Sequence, residues 1–394
     1  MPIQENMALT LEAILALAEQ RNPSLAASRA GVAASEGEAL TARAYPNPTT
    51  TVTGGRGETR GTSPETARNE YQATVVQPLE WPFKRESRIL AAQARIETAR
   101  LDADSFRLFL RAEVKEAFYR VLLTHRRVDL AAQNLETVKD LKRSVEVRVK
   151  TGEAAAFELV KADVELLKAQ KEVDRARSQV ELAGTSLNAL LGNALPRTFR
   201  LSGEFSPIKT WPALDSLIEK VVEIHPTVAR QRQEVERWQH QLSFEQQARV
   251  PDVGIGGLYN REVDKESFGA ILSVPLPLWD RRRGQIATAM AEGRRAEAEL
   301  ARFRTELTKA ITGEYRNYQI AVDQLKVFEA GLLKQAEEAL RIAQISYRQG
   351  ASDLLNLLDA QRVRLTTLQE YYIALYDLSA AQAQLERVTG LNEY

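Results

Sequence analysis

Apolar positions along this chain recur with two periods, and the periods alternate in a fixed order. From Leu354, the residues Leu354, Leu358, Gln361, Leu365, Leu368, Tyr372 and Leu375 follow steps of four and three, the seam of a helix in a coiled coil. Patterns of this kind predict long helices over Lys84 to Val149 and Arg283 to Tyr347, and return helices over Ala155 to Leu191 and Asp353 to Thr389. At 1.5 Å per residue the long helices would reach about 100 Å and the return helices about 55 Å. Medium helices are predicted over Pro23 to Ala44 and Pro226 to Arg249, each opened by a proline whose missing N–H has no partner in a first turn anyway. At about 35 Å a medium helix stacked on a return helix nearly matches one long helix.

Between the helices the period drops to two. TTTVTGG (Thr49 to Gly55), EYQATVVQP (Glu70 to Pro78), DVGIGGLYN (Asp252 to Asn260) and SFGAILSVP (Ser267 to Pro275) read as four strands in two hairpins. In the second hairpin Val253, Ile255, Gly257 and Tyr259 share one face of their strand, as do Phe268, Ala270, Leu272 and Val274 of the next. The other faces hold Gly254, Gly256, Asn260, Gly269 and Ser273. A face of large apolar residues backed by small and polar ones suits a strand between lipid and a wet interior. The connectors Gly55 to Asn69 and Arg261 to Glu266 are charged enough to stay in water. Four strands cannot close a barrel, and an open edge in lipid leaves backbone groups without partners, so closure requires further copies. Two soluble hairpins capping a helical rod are the alternative.

The order of elements occurs twice. RVKTGEAAAFELVKADVEL (Arg148 to Leu166) parallels YRQGASDLLNLLDAQR (Tyr347 to Arg362) when Gly152 is set on Gly350, and VVQPLEWPFKRESRI parallels LSVPLPLWDRRRGQI when Pro78 is set on Pro275. The halves close alike, on LLG at Gly192 and VTG at Gly390. The chain is one unit written twice, offset by about 200 positions. It divides into an N-terminal segment with the first medium helix (1–48), a first hairpin (49–82), a first long helical hairpin (83–192), a linker with the second medium helix (193–250), a second hairpin (251–279) and a second long helical hairpin (280–394).

Composition narrows the function. The 53 basic and 53 acidic residues balance, so no overall field would hold nucleic acid. Cysteine is absent, which removes disulfides, thiolate metal sites and a lipid-acceptor cysteine from this chain. The start, MPIQENMALTLEA, lacks the pattern of a signal peptide, so the chain reads as either cytosolic or the mature form of an exported protein, and no stretch of about 18 apolar residues suggests a spanning helix. No catalytic motif appears. His125, His225 and His240 lack metal-ligand spacing, and His225 stands before Pro226 at a helix start, where the other half has Asn22. Gly254, Gly256 and Gly257 are not followed by a helix, as a phosphate loop would be. No metal site and no cofactor is expected. Tyr71, Tyr259 and Phe268 are candidates for an aromatic girdle, and Trp81 and Trp279 for either an interfacial anchor or burial against helices.

With these residues on the page, the chain resembles the TolC-type outer-membrane efflux family over essentially its whole length. YRQGASDLLNLLDAQ is similar to that family's tip signature, and QPLEWPFKR with PLPLWDRRRG is most similar to its heavy-metal branch, the cobalt-zinc-cadmium components. The resemblance implies a mainly α fold with a small β part. Twice-repeated helical hairpins would form a periplasmic tunnel, and four strands per chain would enter a homotrimeric, twelve-stranded barrel. It implies a passive outer-membrane duct for heavy-metal cations, docked to a periplasmic adaptor and an inner-membrane resistance-nodulation-division pump. Ducts for drugs or secreted polypeptides, or a soluble coiled-coil scaffold, are the alternatives.

The resemblance also assigns roles. Tyr347, Asn356 and Asp359, with Glu158 from the first half, fall where the family carries its periplasmic gate, and Asn356 departs from an acid common there. Gly152 and Gly350, with Arg148, Lys150 and Arg348, would form the tip read by the adaptor. Tyr71, Val253, Ile255, Tyr259, Phe268 and Leu272 would face lipid. The first connector, longer than the second, breaks the symmetry of the outer mouth.

Overall fold

The computed structural model describes residues 9–58, 67–196 and 199–391. Each half has the predicted order. In the first, α1 (Leu11–Arg21) and α2 (Pro23–Arg43) precede β1 (Thr49–Gly57) and β2 (Arg68–Leu79), followed by α3 (Pro82–Lys150) and α4 (Ala156–Leu190). In the second, α5 (Leu214–Ile224) and α6 (Pro226–Gln247) precede β3 (Val253–Arg261) and β4 (Glu266–Ser273), then α7 (Arg283–Val327), α8 (Leu333–Arg348) and α9 (Leu354–Thr389). The fold is mainly α with four antiparallel strands, as expected. No helix among the described residues is long and apolar enough to cross a membrane.

Two compact units emerge. One comprises Met1–Ala27, Asp104–His225 and Thr305–Tyr394. It contains two cores built alike from the two halves. Ile14, Leu15 and Ala18 of α1 meet Leu110, Val114 and Phe118 of α3 and Leu187 of α4. Correspondingly, Leu217 and Val221 of α5 meet Ile311, Tyr318 and Leu325 of α7 and Leu378 and Leu385 of α9. The corners before α2 and α6 are also matched. Asn22 caps α2 by accepting from the Leu25 N–H at 3.0 Å and donates to the Leu190 carbonyl at 2.9 Å. His225, buried at the equivalent corner, is hydrogen-bonded to the backbone of Arg387, and burial lowers its basicity.

The linker between the halves is fastened to the second core. Tyr318 Oη donates to the Lys209 carbonyl at 2.7 Å and accepts from its N–H at 2.8 Å. The buried carboxylate of Glu386 on α9 meets the ammonium groups of Lys115 on α3 and of Lys209, the latter at 3.3 Å, and Gln382 donates to it at 3.3 Å. A carboxylate held this way is satisfied by charge and hydrogen bonds together.

Two predictions of local structure change. The helix expected unbroken to Tyr347 is interrupted by a π-turn, Phe328–Leu332, where Gly331 has φ of 136°. Its counterpart in α3, at the same distance before the turn glycine, is Gln133 within 69 uninterrupted helical residues. A glycine at 331 has no Cβ to resist leaving the helix, and glutamine is a good helix former. On α9 the buried stripe begins Leu354, Leu357, Gln361, Thr367, Ala374, Leu378. Of the predicted seam, Leu358, Leu365, Leu368, Tyr372 and Leu375 are only partly buried, because α9 presents one flank to its own chain.

The second unit comprises Ser28–Ala103 and Pro226–Arg304. Its four strands form one antiparallel sheet in the order β1-β2-β3-β4, open at β1 and at β4. The second connector is a tight turn in which the Glu262 N–H donates to the Lys265 carbonyl at 2.8 Å and Arg261 pairs with Glu266 at 3.4 Å. The first runs from Gly57 to Arg68 and is longer, as expected, with residues 59–66 outside the description.

Candidate functional site

Two regions bring together the residues singled out by sequence. The first is the helical turn end. Gly152 and Gly350 have φ of 81° and 71°, and a Cβ at either would meet nothing within 4 Å. The constraint at both is therefore backbone conformation, since side-chain-bearing residues disfavour the left-handed region. Past Gly350, Asp353 caps α9 by accepting from the Asn356 N–H at 2.9 Å.

Below the turns, Leu141 and Val145 of α3, Ala162 of α4, Leu340 and Tyr347 of α8 and Leu354 and Leu357 of α9 make one cluster, which ties the two helical hairpins to each other. Tyr347 is its polar member. Its ring is buried, its Oη donates to Glu158 Oε2 of α4 at 3.3 Å, and the Arg148 guanidinium of α3 lies over the ring at 4.7 Å. Arg148 also donates to the Tyr347 carbonyl at 3.3 Å and approaches Glu153 at 3.8 Å. Burial, and then the neighbouring Glu158 charge, push the Tyr347 phenol above its ordinary value, so it stays protonated and able to donate. Glu158 and Tyr347 are thus brought together from different helical hairpins. Asn356 and Asp359 are exposed on α9 and are not part of that contact, and Asp359 lies 3.7 Å from Arg362. Lys150 pairs with Glu146 at 2.9 Å, and Arg348 is exposed. The stacking of Arg148 on Tyr347 was not foreseen. Arg148 stands four residues before Gly152 and Arg348 two before Gly350, so the repeat sets Arg148 on Ser346 and carries no signal for the stacking, which packing alone decides.

The second region is the sheet. Residues directly opposite in neighbouring strands share a face, and the register sets Val52 against Ala73, Val75 against Gly257, Leu79 against Val253, Ile255 against Leu272 and Tyr259 against Phe268. Tyr71, opposite Arg261, falls on this face too. All six residues expected to face lipid therefore lie on one side of the sheet, with Phe268 82% and Leu272 71% exposed. The other side carries Thr49, Thr51, Thr53, Gln72, Thr74, Asn260, Ser267 and Ser273, interspersed with Gly254, Gly256 and Gly269. Val76, Pro78, Leu258 and Ile271 are its apolar exceptions. Val76 and Leu258 lie over glycines, since a Cβ at Gly254 would come 2.9 Å from Val76 and one at Gly269 would come 3.2 Å from Leu258. At Gly256 a Cβ would stand 2.1 Å from the Val75 carbonyl oxygen. The glycine face is the crowded one, as on the inner side of a curved sheet.

Among the described residues no group of three or more His, Asp or Glu side chains could hold a metal ion. The sheet is thus open at both edges, with its large apolar side chains mostly on one side and small and polar ones mostly on the other.

The sequence profile of the outer membrane efflux protein family matches residues 14–193 and again 217–391, one match for each half. The chain belongs to this family. As a member it is an outer-membrane efflux channel component with its helical part in the periplasm. It is 31% identical to the cobalt-zinc-cadmium resistance protein CzcC of Cupriavidus metallidurans, over 97% of this chain and 90% of that one. It is 29% identical to the nickel and cobalt resistance protein CnrC of the same organism, over 76% of this chain and 70% of the relative. The crystal structure of the Campylobacter jejuni CmeC outer membrane channel superposes with a TM-score of 0.79 at 14% identity, covering 96% of this chain and 85% of the other, a likeness of fold.

Proposed function

We propose that three copies of this chain close their open sheets into a twelve-stranded barrel and serve as the outer-membrane duct of a tripartite system exporting heavy-metal cations. A periplasmic adaptor would dock at the turns around Gly152 and Gly350, and an inner-membrane proton-coupled pump would drive transport. The duct itself performs no reaction. The observation that carries the reading is the two-faced sheet with β1 and β4 both unpaired. In lipid such edges must find partners, and a second and third copy supply them. Metal cations as cargo rest on the likeness to CzcC over nearly the full chain.

In this reading Tyr347 and Glu158 latch the helical hairpins in the closed state, and Asn356 and Asp359 lie on the surface of α9 that borders the constriction. Three copies of Asp359 would favour cations there, each moderated by Arg362. Arg148 braces the latch, and Lys150 and Arg348 are left for the adaptor. Tyr71, Val253, Ile255, Tyr259, Phe268 and Leu272 contact acyl chains.

The test is metal content. Cells that express the chain together with a cognate adaptor and pump are loaded with cobalt, zinc or cadmium, and retained metal is measured. Lower retention than in cells lacking the duct is expected, with Asp359→Ala reducing cation preference in planar bilayers. Unchanged metal retention alongside export of a siderophore or drug would overturn the cargo assignment.

A further inference from the structure

Between β4 and α7 the chain passes through Val274-Pro275-Leu276-Pro277-Leu278-Trp279 and then Asp280 and three arginines. Two prolines remove the N–H groups that would extend the ladder, so the strand ends at Ser273. The apolar residues that follow point out. Leu276 and Leu278 are exposed, and Trp279 is 93% exposed. Such exposure of an indole is costly in water unless something covers it.

The arginines are sorted by the backbone. Arg282 has φ of 56°, its N–H donates to Asp280 Oδ1 at 2.8 Å, and its Nε lies 3.4 Å from the largely buried Glu245 carboxylate of α6. Gln241 holds the other oxygen of Glu245 at 3.0 Å. With the middle guanidinium turned onto α6, Arg281 and Arg283 stay exposed, and neither has a carboxylate partner among the described residues. The same end of the sheet carries exposed Leu79, Trp81 and Phe83 from the first half.

We propose that 276–283 is a strap that binds anionic phospholipid headgroups of the periplasmic leaflet. Leu276, Leu278 and Trp279 enter the interface, and Arg281 and Arg283 take the phosphates. The proposal rests on the reading that the apolar side of the sheet meets acyl chains. Three observations select lipid as the occupant. The strap continues directly from Leu272 on that side, and at about 3.3 Å per residue Leu276 is within reach of the edge of the same apolar band. Tryptophan is favoured where one side is apolar and the other wet. Two guanidiniums without carboxylates complement phosphate, which they can bind through paired N–H groups. A neighbouring copy packed on the strap would instead have to bury both charges, at a cost its own partners would need to offset.

The experiment uses the full chain reconstituted in phosphatidylcholine vesicles with trace spin-labelled phosphatidylcholine or phosphatidylglycerol. Electron spin resonance then gives the fraction of motionally restricted lipid and the relative association of the two headgroups. An arginine beside an anionic surface is worth roughly fivefold in association, so the wild type should prefer phosphatidylglycerol severalfold. Arg281→Gln with Arg283→Gln should bring the ratio to parity and leave the restricted fraction unchanged. Trp279 emission, taken as the difference between wild type and Trp279→Phe, should be quenched by phosphatidylcholine brominated high on its acyl chains. Equal headgroup ratios in wild type and double variant, or absence of that quenching because a neighbouring copy covers Trp279, would overturn the strap while the restricted fraction still supports the lipid-facing sheet. Absence of restricted lipid would remove the parent reading and the strap together.

Discussion

The contact between Tyr347 and Glu158 offers the most direct test of the proposed latch. In Tyr347→Phe the ring keeps its packing against Leu340, Leu354 and Leu357 and its place under Arg148, and only the hydroxyl is lost. A hydrogen bond to a charged acceptor contributes about 1.5 to 3 kcal/mol. At 3.3 Å this one is longer than the usual phenol contact, which sets its contribution below that range, at about 1 kcal/mol. Three copies acting together would shift closure by about 3 kcal/mol, on the order of a hundredfold in the open-to-closed ratio. Single-channel recording in planar bilayers should show more frequent openings for Tyr347→Phe, with Glu158→Gln giving a smaller rise and the double variant no more than Tyr347→Phe.

The phenol adds a pH signature. Because its folded value is raised, the stabilisation is complete below the ordinary tyrosine range near 10 and disappears as pH climbs through the raised value, where the phenolate would face Glu158. Wild-type resting conductance should therefore increase at strongly alkaline pH, and Tyr347→Phe should lack that step. Unchanged resting conductance in both single variants would refute the latch and locate closure in other contacts.

Three further outcomes follow from the packing. Gly350→Val or Gly152→Val forces a β-branched residue into the left-handed region at a cost of about 1 to 3 kcal/mol, which should abolish adaptor capture in a surface-binding assay while size measurements still report trimers. Gly256→Ala places a methyl 2.1 Å from the Val75 carbonyl and should abolish the heat-resistant trimer band on gels, whereas Gly55→Ala, which meets nothing within 4 Å, should keep it. Glu386→Ala leaves the Lys115 and Lys209 ammonium groups without their shared carboxylate, and breaking a buried pair from one side costs about 3 to 5 kcal/mol, so thermal unfolding should occur at clearly lower temperature.

Much of this protein is legible from local chemistry. Helix period, the Asn22-Pro23 and His225-Pro226 corners and the glycine turns are properties of short stretches, and copying them twice made the architecture readable. The strand faces were legible for the same reason, because side chains alternate with a period of two whatever the strand pairs with. Tertiary structure alone decided what depends on residues far apart. Arg148 and Arg348 lie near equivalent turns, four and two residues before their glycines, but only Arg148 finds the Tyr347 ring, because Tyr347 packs against the first hairpin whereas the first half carries Val149 at the equivalent position. Glu386 reads as one more charge on a helix until Lys115 and Lys209 converge on it from other parts of the chain. Gly331 was visible in the sequence as a glycine inside a helix, but a helix can absorb such a residue without bending. Whether it leaves the helical conformation is decided by the balance between regular hydrogen bonding and the packing of its neighbours, and that balance exists only in the folded chain.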